Sequence, residues 1–190
     1  KLTSNQTEAT RWLIGGYYAE IDRDVAVSYG ADLGKGFEFS SYVPATGKNP
    51  TDLAFDDTFT TDVFSIFGQY SIDLSDATEL SLEGRYDKEK RSVDNNVPAR
   101  SSALYYGGGA PINPAMTAGG SKIPSRDKSY DQFQPKISLT TTAENTTIYA
   151  SYGVGFRSGG FNSSGSAALI NSQLNIPISA GLGVSDSFNK

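Results

Sequence analysis

The stretch Thr60 to Lys90, TTDVFSIFGQYSIDLSDATELSLEGRYDKEK, decides how the rest of the chain is read. Up to Leu74 it alternates with period two, as a strand with two different faces must. Phe64, Ile66, Gly68, Tyr70, Ile72 and Leu74 share one face, and Ser65, Phe67, Gln69, Ser71 and Asp73 share the other. From Glu79 the pattern resumes, with Leu80, Leu82, Gly84 and Tyr86 on one side and Glu79, Ser81, Glu83, Arg85, Asp87 and Glu89 opposite. Only Ser75-Asp76-Ala77-Thr78 separates the two runs, which therefore read as an antiparallel hairpin.

The same alternation recurs on both sides of this hairpin. Upstream, Arg11 to Asp22 carries Leu13, Gly15, Tyr17, Ala19 and Ile21 on one face and Trp12, Ile14, Gly16, Tyr18 and Glu20 on the other, with only partial polarity. Downstream, Phe133, Pro135, Ile137 and Leu139 oppose Gln132, Gln134, Lys136 and Ser138. After Ala143-Glu144-Asn145-Thr146, a fifth strand is expected to run to Arg157, with Ile148, Ala150, Tyr152, Val154 and Phe156 on its apolar side. The connections at the other end are long, near residues 23–59, 91–130 and 158–185, and rich in Gly, Pro and Ser. Short turns near 75–78 and 143–146 facing long loops are the asymmetry of an outer-membrane barrel, with periplasmic turns and extracellular loops.

Face chemistry points the same way. A face of Glu, Gln, Ser, Asp, Lys and Arg is too polar for a dry core but suits a water-filled or plugged lumen. The apolar face ends in Tyr70, Tyr86, Phe133 and Phe156, which suits an aromatic girdle at a lipid interface. The expected fold is all-β, an antiparallel transmembrane β-barrel segment occupying residues 1–190. The alternative is a soluble or surface β-sandwich that binds carbohydrate through loop tyrosines; a passive porin wall is a third reading. On the barrel reading, charge introduced at Ile72 or Leu82 is costly, and charge at Ser71 or Ser81 is mild.

Composition narrows the function. The 190 residues contain no His and no Cys, which excludes His-based triads, zinc clusters and disulfide frameworks in this chain. A net charge of -5 lacks the basic footprint of nucleic-acid binding. No enzymatic activity, metal or cofactor is expected. About five long strands cannot close a barrel, for which eight is the small end of the range. The chain is therefore expected to be a piece of something longer, its edges covered by strands from the rest of its own chain or from other copies.

Gly153-Val154-Gly155 with Gly159-Gly160 misses the spacing of a dinucleotide loop, so close packing near a plug or rim is the better reading. Glu79, Glu83, Asp87 and Glu89 are expected to form a solvated lumen ladder bridged through Arg85 rather than a glycosidase pair. Asp22, Asp24, Asp56 and Asp57 fit solvated loop charge better than a calcium loop. Tyr42, Tyr105 and Tyr106 fall in long loops, where they could stack on a ligand or pack the loops together. Arg157 is placed at the outer end of a lumen face, to contact an anionic substrate or anchor loop or plug.

The run from Tyr130 to Asn162, YDQFQPKISLTTTAENTTIYASYGVGFRSGGFN, resembles the TonB-dependent outer-membrane receptors. The resemblance is carried by Phe133, Pro135 and Lys136 before the turn, Tyr149 to Tyr152 after it, and then Gly155-Phe156-Arg157 and Gly159-Gly160-Phe161-Asn162. Arg11 to Glu20 and Phe64 to Asp87 look like two further strands of that family, while the long loops match nothing in particular. The resemblance implies a fragment of a larger, plugged barrel in the bacterial outer membrane. It further implies energy-coupled uptake of a scarce nutrient: a siderophore, a vitamin or an oligosaccharide. The implied partners are the lipid bilayer with its lipopolysaccharide, the plug domain, the remaining strands and the inner-membrane TonB energising complex. Tyr105, Tyr106 and Arg157 are the candidate ligand contacts.

Overall fold

A computed structural model of the chain describes residues 1–30, 32–36, 43–44, 46–97, 113–114, 122–174 and 184–189. The elements in chain order are β1 (Leu2–Thr3), β2 (Thr10–Gly30), β3 (Thr51–Ser75), β4 (Thr78–Asn95), β5 (Arg126–Ala143), β6 (Thr146–Gly153), β7 (Gly160–Phe161), α1 (Ser166–Leu174) and β8 (Ser187–Phe188). Strands β1 to β6 form one antiparallel sheet in sequence order, each strand beside its chain neighbour. β7 and β8 pair separately. The sheet is not closed: β1 covers only Leu13 and Ile14 of β2, and β6 covers only Lys136 to Ala143 of β5.

Register fixes both faces across all the long strands, because opposed residues in a ladder project to the same side. One row runs Trp12–Tyr70–Leu82–Ile137–Tyr152, and the next toward the long-loop end runs Ile14–Gly68–Gly84–Pro135. Beyond it come Gly16–Ile66–Tyr86–Phe133 and Tyr18–Phe64. This settles β2, whose two faces the sequence leaves nearly equal: Trp12, Ile14 and Tyr18 stand on the apolar side because they align with Tyr70, Gly68 and Phe64. Among the described residues nothing covers the apolar face. Phe64 remains 51 % exposed, Leu82 44 %, Phe133 58 % and Tyr152 76 %.

Leu74 to Phe64 spans ten residue steps of β3. At ~3.4 Å per residue and a tilt of ~40°, the apolar belt is roughly 26 Å tall, close to the ~25 Å band of an outer-membrane barrel. β3 has 25 residues and β4 and β5 have 18 each, whereas strands in globular proteins usually run ~3–10. Strand length and a bare apolar face both exclude the β-sandwich alternative, whose apolar residues would be covered by a second sheet.

Several strands run further than the sequence pattern indicates. β2 continues to Gly30, β3 begins at Thr51, β4 ends at Asn95 and β5 begins at Arg126. Their outer portions carry polar residues on both faces, so period-two patterning fades while hydrogen bonding persists. The fifth strand is shorter than expected: β6 stops at Gly153, and Val154 makes a last ladder bond from its N–H to the Pro135 carbonyl (2.9 Å). Phe156 and Arg157 thus lie beyond the strand, not at its apolar and lumenal ends. Both turns are tight, and Glu144 in the β5–β6 turn takes φ 48°, an uncommon value for a residue with a Cβ.

Candidate functional site

The second face of the sheet is polar, and at the depth of the apolar belt its cations are paired within the wall. Arg11 on β2 donates to Asp73 (2.6 and 2.7 Å) and to Glu79. Arg85 bonds Asp87 (2.8 Å) and the Tyr17 hydroxyl (2.7 Å), and Gln134 from β5 adds a bond to Asp87 at 2.6 Å. Lys136 pairs with Glu83 at 2.9 Å. The expected ladder bridged through Arg85 is therefore corrected: Arg85 serves Asp87, while Glu79 and Glu83 find cations on other strands and Glu89 pairs with Arg91 (2.9 Å). Arg85 and Arg91 thus take the carboxylate two residues along their own strand, ~7 Å away, while Glu79 and Glu83 are reached from β2 and β5 across the sheet.

Ser71 and Ser81 are also corrected. Both are buried and share a hydrogen bond at 2.7 Å, with Gln69 donating to Ser71 (3.2 Å). A charge forced into that contact would not be mild, so the exposed Ser151 on β6 is the better lumen-facing comparison.

Above the belt the chain folds back onto the inner face. After β6 it runs from Gly153, against Lys136, to Gly159, against Tyr130, so six steps match six residues of β5 and bring Arg157 about level with Gln132. Arg157 is exposed there. Tyr42, Tyr105 and Tyr106 lie outside the described residues, so Arg157 stands as the described member of the candidate ligand set.

Beyond Gly159, β7, α1 and β8 make a strap across the outer inner face. A Cβ on Gly159 would collide with the Phe188 carbonyl oxygen and lie 2.8 Å from the Tyr130 hydroxyl; on Gly160 it would lie 2.8 Å from the Phe188 ring. The paired glycines therefore let the strap lie flat against β8 and the wall. Gly155, by contrast, has nothing within 4 Å of a Cβ. Arg126 on β5 secures the strap through the Asp186 carbonyl (2.8 Å) and the Asn162 carbonyl (3.3 Å), its guanidinium over the Phe161 ring. Asp186 accepts the Ala167 N–H (2.8 Å) and the Ser166 hydroxyl (3.2 Å), serving the first turn of α1 as a capping carboxylate supplied from a distance.

The four loop-base aspartates separate by face. Asp22 and Asp24 point outward and accept the hydroxyls of Thr60 and Thr58, each at 2.7 Å. Asp56 shares that outward side, and partial burial raises its carboxyl above the ordinary carboxylate value; the bond from Asn96 works against this and the nearby Asp57 and Asp24 add to it. Asp57, one residue on, faces inward and is fully buried, taking the Ser164 N–H at 2.8 Å and the Asn95 amide at 3.3 Å. Asn113 joins this cluster from the β4–β5 connection. Neither Asn113 nor Ser164 stands out in the sequence; each lies in a Pro-, Gly- or Ser-rich stretch, and the only local signal is the Ser163-Ser164-Gly165 turn.

A sheet of this length, with a lipid-height apolar belt on one side and paired charges on the other, is a piece of a membrane-spanning β-barrel wall. The family comparison agrees, since the family model for the TonB dependent receptor-like β-barrel matches residues 2–182, and the chain belongs to that family. It is a family of outer-membrane receptors associated with nutrient uptake rather than catalysis. No curated protein and no solved structure matches the chain.

Proposed function

We propose that this chain forms part of the wall of an energy-coupled outer-membrane importer for a small-molecule nutrient: a siderophore, a vitamin or an oligosaccharide. The observation that carries the reading is the sidedness of the sheet, with a belt roughly 26 Å tall toward lipid and paired charge on the inner side. The tight turns then face the periplasm, and the long connections face outward, among lipopolysaccharide. The open edges at β1 and β6 call for further strands of the same barrel, and the polar inner face suits contact with a plug domain. Energy would come from the inner-membrane TonB complex acting on that plug. On this reading Arg157 faces the incoming ligand, with Tyr105 and Tyr106 contributing from the β4–β5 connection.

The test is expression of the full-length receptor with its own flanking sequence in a Gram-negative outer membrane. Folded barrel should show heat-modifiable migration in the outer-membrane fraction. Uptake should then be measured over radiolabelled ferric chelates, cobalamin and maltodextrins, with and without a protonophore. Uptake that persists after the proton gradient collapses would point to a passive pore.

A further inference from the structure

Nearly every cation on the inner face of the long strands is engaged. Arg11, Arg85, Arg91 and Lys136 take carboxylates, Arg126 holds the strap, and Lys128 donates to Asn189 beside the Tyr130 ring. Arg23 on β2 is the exception among the described residues. It shares the inner side with Arg11 and Tyr17, and register sets it opposite Phe59 of β3. Its neighbours Asp22 and Asp24 point outward to Thr60 and Thr58. Asp57, one same-face step beyond Phe59, is buried and taken up by the Asn95 amide and the Ser164 N–H. Among the described residues no carboxylate therefore pairs with Arg23, which is exposed.

Arg23 is nonetheless held in place. Its guanidinium lies over the Phe59 ring, 4.5 Å from the centroid, and that ring is buried in the wall. Stacking fixes the plane of the guanidinium but uses none of its N–H groups, which stay free to grip an oxyanion through two parallel bonds. One same-face step toward the belt, Ile21 leaves 55 % of its surface exposed, on the side turned away from lipid. An apolar neighbour keeps water from the contact and strengthens it. At ~3.4 Å per residue and a tilt of ~40°, Arg23 stands roughly 13 Å beyond Tyr18, at the outer limit of the belt. It is a separate place from Arg157, which is level with Tyr17 through Gln132, Asp87 and Ser65, roughly 16 Å deeper on the same arithmetic.

We propose that Arg23, seated on Phe59, is an entry contact for cargo that carries an oxyanion, a carboxylate or a phosphate, on an apolar body. This rests on the importer reading, since only there does the inner face line a passage.

Probe binding to the full-length receptor in detergent micelles tests it, by isothermal titration. The anionic probes are ferric citrate, a ferric complex of dihydroxybenzoate and ferric pyrophosphate; the neutral ones are a ferric trihydroxamate and maltohexaose. At least one anionic probe should bind, and Arg23→Gln should weaken it about tenfold or more. Either a carboxylate probe or the pyrophosphate satisfies the proposal, and the one that binds names the group. Arg23→Lys keeps the charge but loses the planar fork and should weaken binding about threefold; it also serves if Arg23→Gln fails to fold. Lys90→Gln removes the same charge from the outward side and should leave binding unchanged. A receptor that binds only neutral probes or none, an anionic probe indifferent to Arg23, or equal losses from Arg23→Gln and Lys90→Gln each overturn the contact. A wild-type receptor that shows heat-modifiable migration and imports neutral probes alone keeps the importer and loses the contact; one that never forms a barrel ends both.

Discussion

The belt half of the sheet and its outer end are made by the same strands but held together differently. At belt depth, hydrogen-bonded strands are enough: neighbouring inner-face side chains supply partners for Arg11, Arg85 and Lys136, and the outer side needs only apolar bulk. At the outer end the apolar residues change sides: the lipid-side stripe gives out, and Phe59, Val63 and Val93 turn buried apolar side chains inward. There the structure relies on contacts between segments far apart in sequence, such as Ser164 with Asp57 and Arg126 with Asp186. The belt is thus specified by local alternation. The outer end depends on a small buried apolar cluster and a few buried polar groups, and a small change there reaches several segments at once.

Four measurements test that contrast. Leu82→Arg places a charge in the middle of the lipid face and should cost about 2–4 kcal/mol of stability in refolding titrations into bilayers. Ser151→Arg on the inner face should cost far less, and equal costs would remove the sidedness. Next, Gly159→Ala drives a Cβ toward the Phe188 carbonyl and the Tyr130 ring and should cost about 1–3 kcal/mol, as overpacking does. Gly155→Ala, with open space, should be close to neutral by the same titration; if the two match, the strap does not lie where the structure puts it.

Relief of the left-handed Glu144 is a smaller effect of opposite sign. Glu144→Gly should stabilise the β5–β6 turn by up to about 1 kcal/mol, seen as slower exchange at the Ala143 and Thr146 amides. The smallest effect concerns pH. Asp56 has its carboxyl raised in the folded state, so the folded form holds that proton more tightly than the unfolded chain does. Its contribution is therefore present at low pH and lost as pH climbs from the ordinary carboxylate value near ~4 through the raised folded value. Asp56→Asn should flatten the pH dependence of exchange around residues 54–58 across that window and leave the belt untouched. An unchanged profile would mean that Asp56 is as well solvated as the exposed Asp22 and Asp24.

How much was legible beforehand follows the same division. The hairpin from Thr60 to Lys90 could be placed from alternation alone, and so could the turns after Leu74 and Ala143, because a bilayer on one side and water on the other impose period two on every crossing strand. The glycine pair of the Gly-Gly-Phe-Asn run was read as a close-packing site, and the Phe188 and Tyr130 contacts show what it packs against. The ladder expected through Arg85 gives way to separate pairs because spacing along one strand says nothing about which cation stands across from it. α1 escaped notice because Ser166–Leu174 lies within a Ser- and Gly-rich stretch and its first turn is served by Asp186, twenty residues away.

Sequence alone determined that this chain makes long two-faced strands joined by tight turns at one end, since alternation is written residue by residue and needs no partner to be read. Which face of β2 meets lipid, which cation each carboxylate takes, and the full burial of Asp57 beside a half-buried Asp56 emerge from the folded sheet. Those choices depend on cross-strand register and on segments returning from more than a hundred residues away, and a linear pattern carries neither.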